Sequence, residues 1–329
     1  MSGAAAMASI GIVGIGYAVP DTVRRNDDPL FAGERARTGS EELFVGFSER
    51  RVLAPGERVE DLGVRAARVA LGDARVSPDQ IDRLYGAVSP AEHLLPSGLY
   101  AIHEALGLRT DATVIPIQSE FTNFVAALGS ACEAVAAGRC ERALVVVATG
   151  WSRLVDYADP GALGIGDGAG AVVVARNAPL VFVDEISEVH ASWRGAMTLQ
   201  VRTPRVSPPG MPAGPRPIFV FEEEAARAYR ELVALVPERL FGALLARHGL
   251  SAAEVALVTH QPSRAALAAW QRQLGPGELP SVLEELGNST IATAVITLAR
   301  HLGGLHSRHI VLLGLGLGQN FSAALLRRA

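Results

Sequence analysis

The sequence predicts an α/β protein built from two similar halves, and three observations predict it. Short uninterrupted apolar runs, such as residues 143–147, alternate with helical patterns, as expected of strands in sheets covered on both faces. A long stretch recurs: IPIQSEFTNFVAALGSACEAVAAGRCERALVVVATG, ending at Gly150, is echoed by LEELGNSTIATAVITLARHLGGLHSRHIVLLGLGLG, ending at Gly318. The helices inside these two stretches, residues 124–135 and 291–302, are too apolar to face water. They are expected between the two sheets.

Taken in order, the chain opens on MSGAAAMASIGIVGIGYAVP, which lacks a basic leader and whose apolar run is broken by Gly11, Gly14 and Gly16. That pattern reads as a first strand and turn rather than a signal peptide. LGDARVSPDQIDRLYGAVSP (71–90) and LLARHGLSAAEVALVTHQPS (244–263) share one order: helix, turn, acidic residue, strand and a proline-containing loop. GDGAGAVVVAR (166–176) then parallels GQNFSAALLRR (318–328). One echo at half the chain length means two α/β halves, 1–178 and 179–329, rather than a solenoid. Residues 193–217, with six prolines, read as a surface excursion or cap.

At 329 residues the chain exceeds one ordinary core, and with 49% hydrophobic residues it is expected to be well buried. A net charge of −4 gives no electrostatic footprint for nucleic acid. No 18-residue uncharged apolar run suggests a membrane span. Two cysteines, Cys132 and Cys140, are placed on one predicted helix, where they cannot reach disulfide geometry. A reducing cytoplasm follows as the expected location. GIVGIG and GLGLG lack the order and the downstream acid of a dinucleotide fingerprint. HLGGLHSRH has no standard zinc spacing, and basic residues at a helix C-terminus explain it. No cofactor and no metal are therefore expected.

The polar knot QSEFTN, 118–123, opens the first buried helix, and GNST, 287–290, opens the second. Counting back from the strands that follow puts Phe121 opposite Asn288. With THQPSRAAL (259–267), GNST, GDGAGAVVV (166–174), LPSG (95–98) and SERRVLAPGERVEDLGVRAARVAL (48–71), the chain resembles β-ketoacyl-ACP synthase III of the thiolase superfamily. The resemblance runs from Ile10 to Arg327 in the family's order. It implies a five-layer αβαβα sandwich, usually a homodimer, acting on acyl thioesters carried by CoA or by acyl carrier protein. It also implies a Cys–His–Asn trio, in which His260 and Asn288 match the His and Asn that bind a thioester oxygen and stabilise an enolate.

The cysteine is missing. Its position falls on Phe121, and Cys132 lies about 16 Å further along the helix. The family's CoA-stacking tryptophan falls on Leu43 and its neighbouring arginine is deleted, which favours a carrier-protein-bound donor. Asn288 also suits a helix N-cap. Glu120 is either an acid in the first helical turn or, beside His260, a general base or a carboxylate that holds the imidazole protonated. Ser119 is the alternative nucleophile, with His260 as its base. Gln118 could offer an amide to an oxyanion. Phe121 would line the substrate, Gly316 and Gly318 would form the floor by close backbone approach, and residues 166–168 are a structural turn. Two functions follow. One is an acyltransferase-type enzyme of polyketide or fatty-acid-type metabolism, working by acyl transfer, decarboxylation or condensation and cyclisation without a cysteinyl intermediate. The other is a catalytically silent subunit pairing with a cysteine-bearing paralogue.

Overall fold

A computed structural model describes residues 9–33, 46–212 and 214–329, and for residues 223–230 the backbone alone. Leu43 lies outside the described residues. The first half contains β1 (Ile10–Ala18), β2 (Val23–Arg25), β3 (Glu49–Arg51), α1 (Val59–Ala74), β4 (Arg83–Ser89), α2 (Leu99–Leu106), β5 (Thr113–Pro116), α3 (Asn123–Ala136), β6 (Ala143–Thr149) and β7 (Gly168–Arg176). The second contains β8 (Leu180–Val189), β9 (Met197–Arg202), β10 (Arg216–Phe221), α4 (Glu223–His248), β11 (Val255–Thr259) and α5 (Arg264–Leu274). It closes with α6 (Leu283–Leu286), α7 (Thr293–His301), β12 (His309–Gly316) and β13 (Asn320–Arg328).

The strands run in the order β11-β12-β13-β8-β1-β7-β6-β4-β5. The join between halves is thin, since β1 meets β8 only at Gly11↔Val181 and Ile12↔Leu180. On either side the pairing repeats. In the first half β4 lies parallel to β6, which runs antiparallel to β7, itself antiparallel to β1. In the second, β11 is parallel to β12, then β13 and β8 follow antiparallel. Where β5 extends the first sheet, the second half has a single parallel bridge, Ala256↔Glu278.

Five layers result, because each apolar face finds its own core. One core packs α1 and α2 on the first sheet through Ala66, Ala67, Ile102, Leu144 and Val146. Another packs α4 and α5 on the second through Leu244, Trp270, Leu257 and Val311. Between the sheets, α3 and α7 supply Phe124, Leu128, Val295 and Leu298 to a core that both sheets share. Such interior helices are possible because their sequences carry almost no charge to desolvate. Two expectations change. Cys140 lies beyond the end of α3, in the turn before β6, because Gly138 adopts the left-handed conformation that stops the helix. The proline-rich excursion contains the hairpin β9–β10, anchored by buried Met197 and Ile218, with most of its prolines in the connection. Among the described residues no helix is long and apolar enough to cross a membrane.

Candidate active site

β5 delivers the chain to the first knot, and the knot turns it sharply into α3. Thr122 N donates to Ser119 O at 2.8 Å, and the buried Asn123 ties the turn down by donating from Nδ2 to Ile117 O at 2.9 Å. Phe121 sits at the apex with φ 72°, a left-handed conformation that bulky residues rarely hold. The β12 end packs under it. Leu317 N donates to Glu120 O at 3.0 Å, and a Cβ on Gly316 would come within 2.5 Å of the same oxygen. Gly316 is therefore glycine for close approach. Gly318 is different: its added Cβ would meet nothing within 4 Å, but its φ of 75° belongs to the tight turn into β13. It forms no part of a floor by contact.

His260 follows β11, with its backbone N held by Leu313 O at 3.0 Å. The Phe121 ring stacks on the imidazole at 5.3 Å and 12°, and it meets Trp151 edge-on at 4.7 Å. Trp151 in turn touches Phe219 of β10 at 5.4 Å, so an aromatic column runs from the β9–β10 hairpin to His260. Burial pushes the imidazole down to about 4, and a hydrogen bond with the Thr290 backbone opposes that only in part. His260 is thus neutral at neutral pH, and its Nδ1 is buried with no protein partner among the described residues.

The second knot reaches His260 through Thr290. Asn288 Oδ1 accepts from Thr290 N at 2.9 Å and from Thr293 Oγ1 at 3.4 Å, at the start of α7. These donors fix which end of the carboxamide is oxygen. Among the described residues nothing in the protein accepts from its Nδ2. Its backbone is clamped on both sides, N to Gly164 O at 2.7 Å and O from Gly166 N at 3.0 Å. Thr290 has φ 41° and shares a 2.8 Å hydroxyl hydrogen bond with Thr149 at the end of β6. The left-handed residues of the two knots are thus Phe121 and Thr290, whereas counting along the sequence pairs Phe121 with Asn288. A 3-10 turn, Thr290–Ala292, lengthens the second knot. His260 lies between the two helix starts, one touching it by ring stacking and the other by a hydrogen bond.

The family is decided by comparison over the whole length. A β-ketoacyl-[acyl-carrier-protein] synthase III of Salmonella arizonae is 30% identical over 329 residues, covering 96% of this chain and 98% of the relative. The chain belongs to the β-ketoacyl-ACP synthase III family. The family model for 3-oxoacyl-[acyl-carrier-protein] synthase III matches residues 117–186 of this chain. A Bradyrhizobium diazoefficiens synthase III is 27% identical over 330 residues, covering 96% of this chain and 98% of its own. The fold superposes on cerulenin-bound Xanthomonas campestris OleA with a TM-score of 0.82 at 21% identity, covering 99% of both chains. It matches a Xanthomonas oryzae 3-oxoacyl-(acyl carrier protein) synthase III at 0.82 and 22%, covering 97% of this chain and 98% of that one. The layered thiolase-like sandwich of this synthase III chain is therefore the observed one.

Several site expectations need correcting within this family member. The Ser119 hydroxyl does not engage His260. It lies 2.6 Å from Thr122 Oγ1 and accepts from Asn320 Nδ2 at 2.8 Å, so it braces the knot against β13. Gln118 is exposed at the mouth of a groove rather than aimed at an oxyanion. Glu120 does not hold the imidazole protonated. Its carboxyl hydrogen-bonds Ser89 instead, and burial raises it to about 7 while that hydrogen bond opposes. The residue is half-buried overall, but Oε2 is sealed off and has no partner among the described residues. The turn at 166–168 carries more than a bend. Fully buried Asp167 accepts from Leu53 N at 2.8 Å, Ser152 N at 2.9 Å and Ser152 Oγ at 2.5 Å, fixing the segment that presents Trp151.

Sequence reasoning missed Trp151 and Thr290. The signal for Trp151 was an aromatic placed directly after a fully apolar strand, in ATGWSR. Thr290 carried none, because only the folded turn gives it a left-handed backbone.

Proposed function

We propose that the chain acts on acyl thioesters, carried by acyl carrier protein, without a cysteinyl acyl-enzyme. The observation that carries this reading is the placement of His260 between the two buried helix starts, next to the knot from which Asn288 offers Nδ2. Two neutral donors in a water-poor site suit an oxygen on which negative charge develops, as in a thioester enolate or tetrahedral intermediate. A neutral imidazole, enforced by burial, has one N–H; it is held on the Thr290 backbone and passes to a thioester oxygen by exchanging that hydrogen bond. With Phe121 at the apex, the acyl group passes to an acceptor other than the protein. A thioester carbonyl reaches His260 when the Phe121 ring swings off the imidazole. We read the chain as soluble, with the dimer expected of the family as its working form.

The test is turnover of an acyl-carrier thioester by the wild type and by His260→Ala and Asn288→Ala, with intact-protein mass recorded throughout. The wild type should turn over and carry no acyl adduct. Each variant should lose about a hundred- to a thousand-fold in rate. Undiminished turnover in both variants would sink this reading.

One observation favours a second reading, a silent subunit paired with a cysteine-bearing paralogue: the Phe121 ring covers the imidazole face. In that case the wild type alone has no turnover, and pathway flux with the co-expressed partner is unchanged by both variants.

A further inference from the structure

Thr290 is held in a conformation that its own side chain opposes. It is β-branched, and its φ of 41° lies in the left-handed region, where such residues are outliers. Three ties keep it there, all between buried residues. Its N donates to Asn288 Oδ1 at 2.9 Å, its carbonyl accepts from Thr293 N, and its hydroxyl lies 2.8 Å from Thr149 Oγ1. Two of these ties are internal to the second knot. The third comes from outside it: Thr149 ends β6, an interior strand, where it pairs with Ser89 of β4 and Gly168 of β7. The same Thr290 backbone meets the His260 imidazole, in a bond that favours the protonated ring and so is one in which the ring donates. Thr290 N is already committed to Asn288, so the acceptor is Thr290 O. Nδ1 has no partner among the described residues, which puts the ring's proton on Nε2 and the lone pair on Nδ1.

We propose that Thr149 is a positioning residue for His260: acting through Thr290, its hydroxyl keeps in place the carbonyl that holds the proton on Nε2. The strand makes that hydroxyl a fixed point against which the strained knot is pulled. Without it, Thr290 Oγ1 is a buried polar atom with no partner, and the residue gains by turning to the right-handed backbone that β-branched side chains accept. Its carbonyl then leaves the imidazole, neither ring nitrogen has a protein partner, and both neutral tautomers are populated. The consequence for the reaction rests on the action on acyl thioesters argued above. An Nε2 proton passes to the thioester oxygen by exchange with Thr290 O. A ring with its proton on Nδ1 offers that oxygen a lone pair instead, and repels it.

The experiment is long-range proton–nitrogen correlation NMR on the full chain carrying isotope-labelled histidine, the His260 signals being those missing from His260→Gln. In the wild type at neutral pH, Nε2 should be the protonated nitrogen. In Thr149→Val, which keeps the shape and removes the hydroxyl, the two ring nitrogens of His260 should shift toward one another as the tautomers mix, while the other histidines stay put. Thr149→Ser, which keeps the hydroxyl, should restore the wild-type pattern. Thr290→Val cuts the same link from the other side and serves if Thr149→Val fails to fold. A proton on Nδ1 in the wild type, which needs no variant to observe, overturns the proposal, as does a wild-type pattern in either folded valine variant. Turnover of an acyl-carrier thioester is scored separately. Thr149→Val should lose at least about tenfold in kcat with KM little changed, and Thr149→Ser should regain it. Shifted ring nitrogens with undiminished kcat overturn the positioning role. The expected spectra in a wild type without turnover defeat the action on thioesters and leave the hold of Thr149 on the imidazole standing.

Discussion

The two helix starts that meet at His260 solve the same problem differently. In the second knot the cap position of α7, Ala292, makes no side-chain cap hydrogen bond, but Asn288 braces the turn before it, its carbonyl oxygen accepting from Thr290 N and Thr293 Oγ1. In the first, Thr122 occupies the cap position without a side-chain cap hydrogen bond, and the apex is an aromatic ring. A helix N-terminus without a cap presents unsatisfied N–H groups and a partial positive charge, an environment that favours an anion or a thiolate. The first knot therefore keeps the backbone suited to a nucleophile while carrying a side chain that cannot be one. The comparison teaches that backbone and chemistry are separable here. The elbow is held by Asn123, Asn320 and Gly316, not by the residue at its tip.

The largest expected effect comes from restoring the missing chemistry. Phe121→Cys should take up one acyl group per chain from an acyl thioester, where the wild type takes up none, and intact mass would show it. The cysteine would sit at the N-terminus of α3, beside His260. Absence of an adduct in a folded variant would mean that the elbow is not preserved without the Phe121 ring.

The next effect separates the two sides of the elbow by their titration. His260 falls from 6.5 to about 4 in the folded chain, so between those values the unfolded chain binds more protons and stability rises with pH. Glu120 rises from 4.5 to about 7, so across that window the folded chain binds more protons and stability falls with pH. The two largely cancel in the wild type. Relative to wild type, Glu120→Gln should gain about 3 kcal/mol between pH 4.5 and 7, at 1.36 kcal/mol per pH unit. By the same conversion His260→Gln should lose about 3 kcal/mol between pH 4 and 6.5. Urea unfolding across this range measures both, and two flat differences would contradict the burial of both groups.

The smallest effect concerns Ser119. Since its hydroxyl braces Thr122 and Asn320, Ser119→Ala should cost about 1 kcal/mol in urea unfolding and leave thioester turnover unaltered. A loss of turnover beyond tenfold at unchanged stability would return Ser119 to the chemistry.

The repeat and the interior position of α3 and α7 were legible in the sequence, because each rests on local pattern. Apolar runs and uncharged helices must be buried wherever they fall, and a motif keeps its order along the chain. The direction of side chains was not legible. Gln118, Ser119 and Glu120 are consecutive, so spacing could not say that one is exposed, one braces β13 and one is held on Ser89. That was decided by the left-handed apex at Phe121 and by β12 passing beneath it at Gly316. The neutrality of His260 was likewise a tertiary outcome. It follows from the burial of the imidazole under the Phe121 ring, with no carboxylate among the described residues acting on it. Sequence alone determined which residues could do chemistry. Only the packing of two half-chains around one helix layer decided which of them face one another.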